Sequence, residues 1–156
     1  MMGYFIRALA LLGVLILSGC GGDYGPDQEG RAVAAGRLDD HWLVLNYWAE
    51  WCGPCRTEIA ELNRLADQLR GQGVTVLGVN FDNLQGANLK QAAQSLGIRF
   101  TVLAIDPASR FELPQSAGLP VTYIIDDHGK VREQLLGEQT AAGLQARLQA
   151  LRQGQG

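Results

Sequence analysis

The sequence predicts an α/β fold, a three-layer sandwich in which a central mixed, mostly parallel sheet carries helices on both faces. Continuous apolar runs rich in Val and aromatics alternate along the chain with segments whose apolar residues recur every three or four positions. That is the pattern of buried strands joined by covering helices. Near the C-terminus, two strand-like segments flank the turn sequence Asp127-His128-Gly129-Lys130, which adds antiparallel strands. With 156 residues, 47% of them apolar, the chain can bury one ordinary core and suggests one domain.

Each element follows from its own residues. "HWLVLNYWA", 41–49, is a strand buried on both faces. From Gly53 to Leu69, the spacing of Ile59, Leu62, Leu65, Ala66 and Leu69 predicts an amphipathic helix, and Gly71 and Gly73 end it. "VTVLGVNF", 74–81, is the next strand, and "ANLKQAAQSLG" the next helix, with Gly97 as its stop signal. "FTVLAID", 100–106, makes a third strand, followed by the irregular or short helical piece "PASRFELPQSAG". "PVTYIID" and "VREQLLG" form the hairpin pair. Thr140 caps a last helix, "AAGLQARLQALRQ", with Leu144, Leu148 and Leu151 on one face.

Residues 1–19 read differently. Arg7 precedes the apolar run "ALALLGVLIL", and small residues follow it, which is the plan of an export signal. The run is shorter than the ~20 apolar residues a spanning helix needs. Residues 20–36, rich in Gly with Pro26 and several acids, are expected to form a flexible tether, and residues 37–153 the folded domain. The net charge of −3, with Lys and Arg scattered, supplies no basic face, so nucleic acid is excluded as a partner.

The chemistry concentrates in "NYWAEWCGPCRTE", 46–58, where Cys52 and Cys55 sit between a strand and a helix. A structural zinc site needs four ligands, and His41 and His128 lie far apart in sequence, so no metal is expected. A disulfide closing so short a loop removes little entropy from the unfolded chain, which argues against a purely structural bridge. A redox pair has a positive case. Cys52 falls at the helix N-terminus, where free amides and the helix dipole favour the nucleophilic thiolate. Cys52 is expected to be exposed and to attack, with Cys55, one turn further in and shielded, resolving the intermediate. Gly53 lets a substrate backbone approach closely, and Pro54 fixes φ where its missing N–H matters least. Trp51 is expected to wall the nucleophile and contact substrate, and Trp48 to lie in the core beneath it. His41 reads as a strand-entry residue.

"WAEWCGPC" resembles the active-site signature of thioredoxins, and the order of elements from about Asp39 to Arg152 is thioredoxin-like. Asn46, the run "CRTEIAELNRLADQL" and "GLPVTYIIDDHGKV" make the chain most similar to TlpA/ResA-like thiol-disulfide oxidoreductases of the bacterial cell envelope. Cytoplasmic thioredoxins place a buried aspartate where this chain has Asn46, and an amide does not titrate. Glu58 matches a glutamate of the envelope family; it either tunes the thiols or relays a proton during exchange, or is simply a first-turn acid favoured by the helix dipole. Ala60 departs from the proline common there. Pro120, after Leu119, resembles the cis proline that faces the cysteine pair, whose neighbouring backbone pairs with an extended substrate. Leu17-Ser18-Gly19-Cys20 resembles a lipobox, which makes Cys20 the acylated first residue of the mature protein.

The resemblance implies a lipid-anchored oxidoreductase on the periplasmic side, with the outer membrane favoured because no aspartate follows Cys20. It implies no cofactor, disulfide-bearing envelope proteins as substrates, and a membrane electron donor of the DsbD/CcdA kind. The Gly-Pro dipeptide favours a reductase, serving cytochrome c maturation or disulfide repair. A disulfide oxidase or isomerase and a non-catalytic binding lipoprotein are the alternatives, and a peroxidase fits the motif less well.

Overall fold

The computed structural model describes residues 22–154, so Cys20 and the 1–19 segment lie outside the described residues. The elements are β1 (Trp42–Trp48), α1 (Gly53–Gln68), β2 (Val74–Asn80), α2 (Gly86–Ser95), β3 (Thr101–Leu103), β4 (Val121–Ile125), β5 (Val131–Leu136) and α3 (Ala141–Gln153). They form one sheet of order β3-β2-β1-β4-β5. β1, β2 and β3 pair in parallel, whereas β4 is antiparallel to both β1 and β5. Four strands therefore share a direction, but the pairings divide evenly between parallel and antiparallel.

The central strand has two apolar faces, as its continuous apolar run requires. Trp42, Val44 and Trp48 of β1 pack with the buried residues of all three helices. Leu43, Leu45 and Tyr47 face the opposite core, which the helices do not cover. Here the expectation of helices on both faces needs adjustment. The second face is closed by Tyr24, Val33, Ala35 and Leu38 from the N-terminal segment and by Phe111 from the β3–β4 connection.

The flexible tether expected over 20–36 is accordingly corrected from Tyr24 onward. Pro26 bridges Ala32 and Asp27 bridges Leu103, so the segment is a tight hairpin lying along the edge of β3. Its Gly, Pro and Asp content is turn chemistry. Asp27 Oδ1 accepts from Glu29 N (2.8 Å) and Arg31 N (2.9 Å), while Gly25 and Gly30 take positive φ. The Gln28 side chain continues the sheet pairing, accepting from Val102 N at 2.8 Å and donating to Phe100 O at 3.1 Å. Burying Tyr24 and Val33 contributes roughly 1.5–3 kcal/mol each, enough to hold the segment down. A 3-10 turn, Ala35–Arg37, then leads into β1.

Polar anchors fix the helices that frame the site. Asn63 of α1 donates to Gly97 O and accepts from Arg99 N, both at 2.8 Å, locking the end of α2 to α1. Glu61 Oε2 accepts from Ala141 N at 2.9 Å, and Thr140 Oγ1 caps α3 by accepting from Gly143 N at 3.1 Å. Gly78 of β2 is required by close approach: a Cβ there would lie 3.0 Å from both Trp48 Nε1 and the Phe100 ring.

Candidate active site

β1 ends at Trp48, and the chain turns through Ala49–Trp51 into α1. The redox pair therefore stands at the carboxyl end of the central strand, where open α/β sheets place their sites. Cys52 is the N-cap of α1, with extended φ −85° and ψ 102°. Its Sγ accepts from Cys55 N at 3.2 Å, and Pro54, lacking an N–H, leaves that amide as the first-turn donor directed at the sulfur. This arrangement favours negative charge on Cys52 Sγ over negative charge on Cys55. The two sulfurs are bonded at 2.02 Å, with Cα atoms 5.3 Å apart, so the structure is the oxidised form.

The contrast expected between an exposed Cys52 and a shielded Cys55 is not found. Their exposures are 4% and 1%, because the Cys52 sulfur folds back over the first turn and both residues join the core beneath Trp48 and Ala49. What is exposed is their surround. Trp51 is 65% exposed, Gly53 and Pro54 face solvent, and a Cβ at Gly53 would meet nothing within 4 Å. Trp48 is fully buried, as expected, and its Nε1 has no partner among the described residues.

The Leu119–Pro120 bond is cis, as the sequence context predicts. It leads into β4, whose register sets Thr122 opposite Asn46 on the α1 side of the sheet. There Glu58, one turn below Cys55 and 1% exposed, joins them. Asn46 Nδ2 donates to Glu58 Oε2 and to Thr122 Oγ1, each at 3.0 Å. Thr122 Oγ1 donates to Glu58 Oε1 at 3.5 Å, and Gln139 N donates to the same oxygen at 3.0 Å. Burial disfavours the carboxylate more than these donors favour it, and the Glu58 pKa is raised to about 7. Asn46 Oδ1 has no partner among the described residues, so an unused acceptor lies beside the one buried acid of this cluster.

Thr122, Phe81 and Asp82 were not singled out as site residues from the sequence. Trp51 Nε1 donates to the Asp82 carboxylate at 3.0 and 3.2 Å, and its ring meets that of Phe81 edge-on at 6.2 Å. The only sequence signal for Phe81 is an aromatic just past the carboxyl end of a buried strand. His41, paired through Nδ1 with Thr75 Oγ1 at 3.0 Å, and His128, in the hairpin turn, stand at the other end of the sheet from the cysteines. No group of three or more His, Cys, Asp or Glu able to hold a metal occurs among the described residues.

A thioredoxin-like fold with a cysteine pair at the mouth of α1 defines a thiol-disulfide oxidoreductase. Residues 24–134 match the AhpC/TSA family, and the chain belongs to it. It is 32% identical over 126 residues to the thiol-disulfide oxidoreductase ResA of Bacillus cereus, covering 80% of this chain and 72% of that protein. It is 32% identical over 130 residues to ResA of Geobacillus thermodenitrificans, covering 81% and 72%. Among solved structures it resembles a thiol:disulfide interchange protein of the thioredoxin family from Chlorobium tepidum TLS, at TM-score 0.66 and 25% identity, covering 78% of this chain and 87% of that one. A DsbF homologue from Corynebacterium diphtheriae shares the fold at TM-score 0.68 and 24% identity, covering 81% and 82%.

Proposed function

We propose that the protein is a reductase of protein disulfides in the bacterial cell envelope, held to a membrane through a lipid on Cys20. The observation that carries the mechanism is the Cys52 N-cap, which makes Cys52 the attacking thiol, while the Gly53-Pro54 dipeptide supports the reducing direction. In the reduced protein a thiolate at the Cys52 sulfur keeps the Cys55 N–H bond and the helix dipole. Cys52 attacks one sulfur of the substrate disulfide, forming a mixed disulfide and releasing the first substrate thiolate. Cys55, as thiolate, then attacks Cys52 Sγ and releases the second. Two electrons pass to the substrate, and the protein is left with the Cys52–Cys55 disulfide.

Glu58 serves the second step by taking the proton from Cys55, a role supported by a pKa raised to about 7 and by its position one turn below that residue. Trp51, Gly53, Pro54, Leu119 and Pro120 form the surface the substrate meets. Return to the dithiol requires a membrane donor of the DsbD/CcdA kind. Cytochrome c maturation or repair of wrongly oxidised envelope proteins is the physiological task, and the outer membrane the favoured location. No helix among the described residues is long and apolar enough to cross a membrane.

Trapping tests the mechanism. Cys55→Ser in the envelope accumulates a mixed disulfide between Cys52 and the substrate, which mass spectrometry identifies. A variant that captures nothing overturns the reading, and a reduction potential far above thioredoxin's ≈ −270 mV would instead mark an oxidase or isomerase.

A further inference from the structure

Beside the redox pair, on the face of the sheet opposite Glu58, lies an open cavity of about 660 Å³. Trp51, next to Cys52, and Leu119, next to Pro120, both line it, so it is continuous with the surface a substrate disulfide must approach. Its walls are mainly apolar and aromatic, including Leu113, Val121, Tyr47 and Tyr123, with Asn83, Gln115 and Ser116 as uncharged polar side chains. Among the described residues, Asp106 is the only charged side chain lining it.

The Asp106 carboxylate is held in place. Its Oδ1 accepts from the Tyr47 hydroxyl at 2.5 Å and from Ala108 N at 2.8 Å, and Oδ2 has no hydrogen-bond partner among the described residues. Tyr47 and Tyr123 meet edge-on at 5.8 Å, and the Tyr123 hydroxyl is committed to Pro114 O at 2.6 Å. Burial, reinforced by the Asp106 carboxylate, pushes the Tyr47 phenol well above its ordinary range, so it remains a donor at any physiological pH. The cavity thus offers a fixed carboxylate oxygen among aromatic faces and apolar walls. This combination suits a long cationic side chain, whose stem packs on the walls while its head meets the carboxylate and the rings.

We infer that this cavity binds a Lys or Arg side chain of the substrate protein close to its disulfide, with Asp106 determining the specificity. The inference rests on the reductase reading above and narrows its substrate class to disulfides flanked by a cationic residue. A peptide running past Trp51 and Leu119 carries its cysteine to Cys52 while a neighbouring side chain enters the cavity. Tyr47 acts as a positioning residue that orients Asp106.

The test compares short cyclic disulfide peptides that differ only in the residue after the first cysteine, Lys or Glu, as substrates of the reduced full-length protein in detergent. The Lys peptide is expected to show a kcat/KM about tenfold higher, carried by KM, as one added charge-assisted contact gives. Asp106→Asn brings the ratio to within about twofold, an effect that general loosening of the loop would not produce because it would slow both peptides alike. Calorimetric binding of matched peptides with serine in place of cysteine, Lys against Glu, follows the same ratio without any turnover. Equal kcat/KM for the two peptides, equal affinities of the serine peptides, or a preference that survives Asp106→Asn overturns the inference. Failure of the wild-type protein to reduce 2-hydroxyethyl disulfide, with the binding preference intact, overturns the reductase reading and leaves the pocket standing.

Discussion

Asn46 and Tyr47 are adjacent in β1, yet each serves a different carboxylate on a different side of the sheet. Asn46 donates to Glu58 in a cluster closed to solvent, whereas Tyr47 donates to Asp106 in the wall of an open cavity. The period of two along the strand separates them, and solvent decides what each pair does. Enclosure raises Glu58 to about 7, where it can exchange a proton during thiol chemistry. Asp106 is exposed, which suits it to recognising charge. One strand thus places a buried acid on one flank of the redox centre and an exposed one on the other, which the proposals above read as a proton site and a recognition site.

The largest expected effect strikes the enclosed side. Asn46→Ala takes two hydrogen bonds from a buried cluster and leaves the Glu58 carboxylate short of a donor. It should cost about 3 kcal/mol in urea denaturation at about pH 8, and about 2 kcal/mol at about pH 5, where Glu58 is protonated. Equal losses at the two pH values would mean that Glu58 is not charged in the folded protein.

Next comes the pH slope itself. A folded pKa of about 7 against an ordinary 4.5 means that between these values the native state holds a proton the unfolded chain has released. Stability therefore falls as pH rises through this window, by on the order of 3 kcal/mol in total, and is highest at its acidic end. Glu58→Gln removes this slope. It should also alter the pH profile of thiol–disulfide exchange; an unchanged profile would reduce Glu58 to a structural acid bonding Gln139 N.

On the open side the effects are smaller and do not depend on pH. Tyr47→Phe removes one hydroxyl contact and should cost about 1 kcal/mol at both about pH 5 and about pH 8. A loss that differs between the two would couple the faces and break the comparison. Phe81→Ala, at a ring 55% exposed, should change stability by no more than about 0.5 kcal/mol while raising KM for peptide disulfides, measured by steady-state kinetics.

Much of this arrangement was legible in the sequence. The apolar run of β1, the three- and four-residue spacing in α1, the stop at Gly97 and the Thr140 cap all rest on contacts within a turn or a strand. The place of Cys52 at the helix N-terminus followed from the same short stretches, and the cis bond at Pro120 from the resemblance of its context to thioredoxin-like proteins. Gln28, Thr122 and Phe81 were not legible, because each draws its meaning from a distant strand. The Gly- and Pro-rich segment before residue 37 read as a tether because turn residues and flexible linkers share a composition. Only the uncovered face of the sheet shows that Tyr24 and Val33 have a core to enter.

The sequence by itself determined the elements, the redox pair and its place between strand and helix, since these depend on local periodicity, capping and backbone restriction. Tertiary structure alone decided which partners Glu58 has: Asn46 is 12 residues away, Thr122 64 and Gln139 81. It also decided that Tyr47 meets Asp106, 59 residues on. Such pairs are set by strand order and register, which arise when both faces of the sheet are buried at once, and no local pattern encodes that closure.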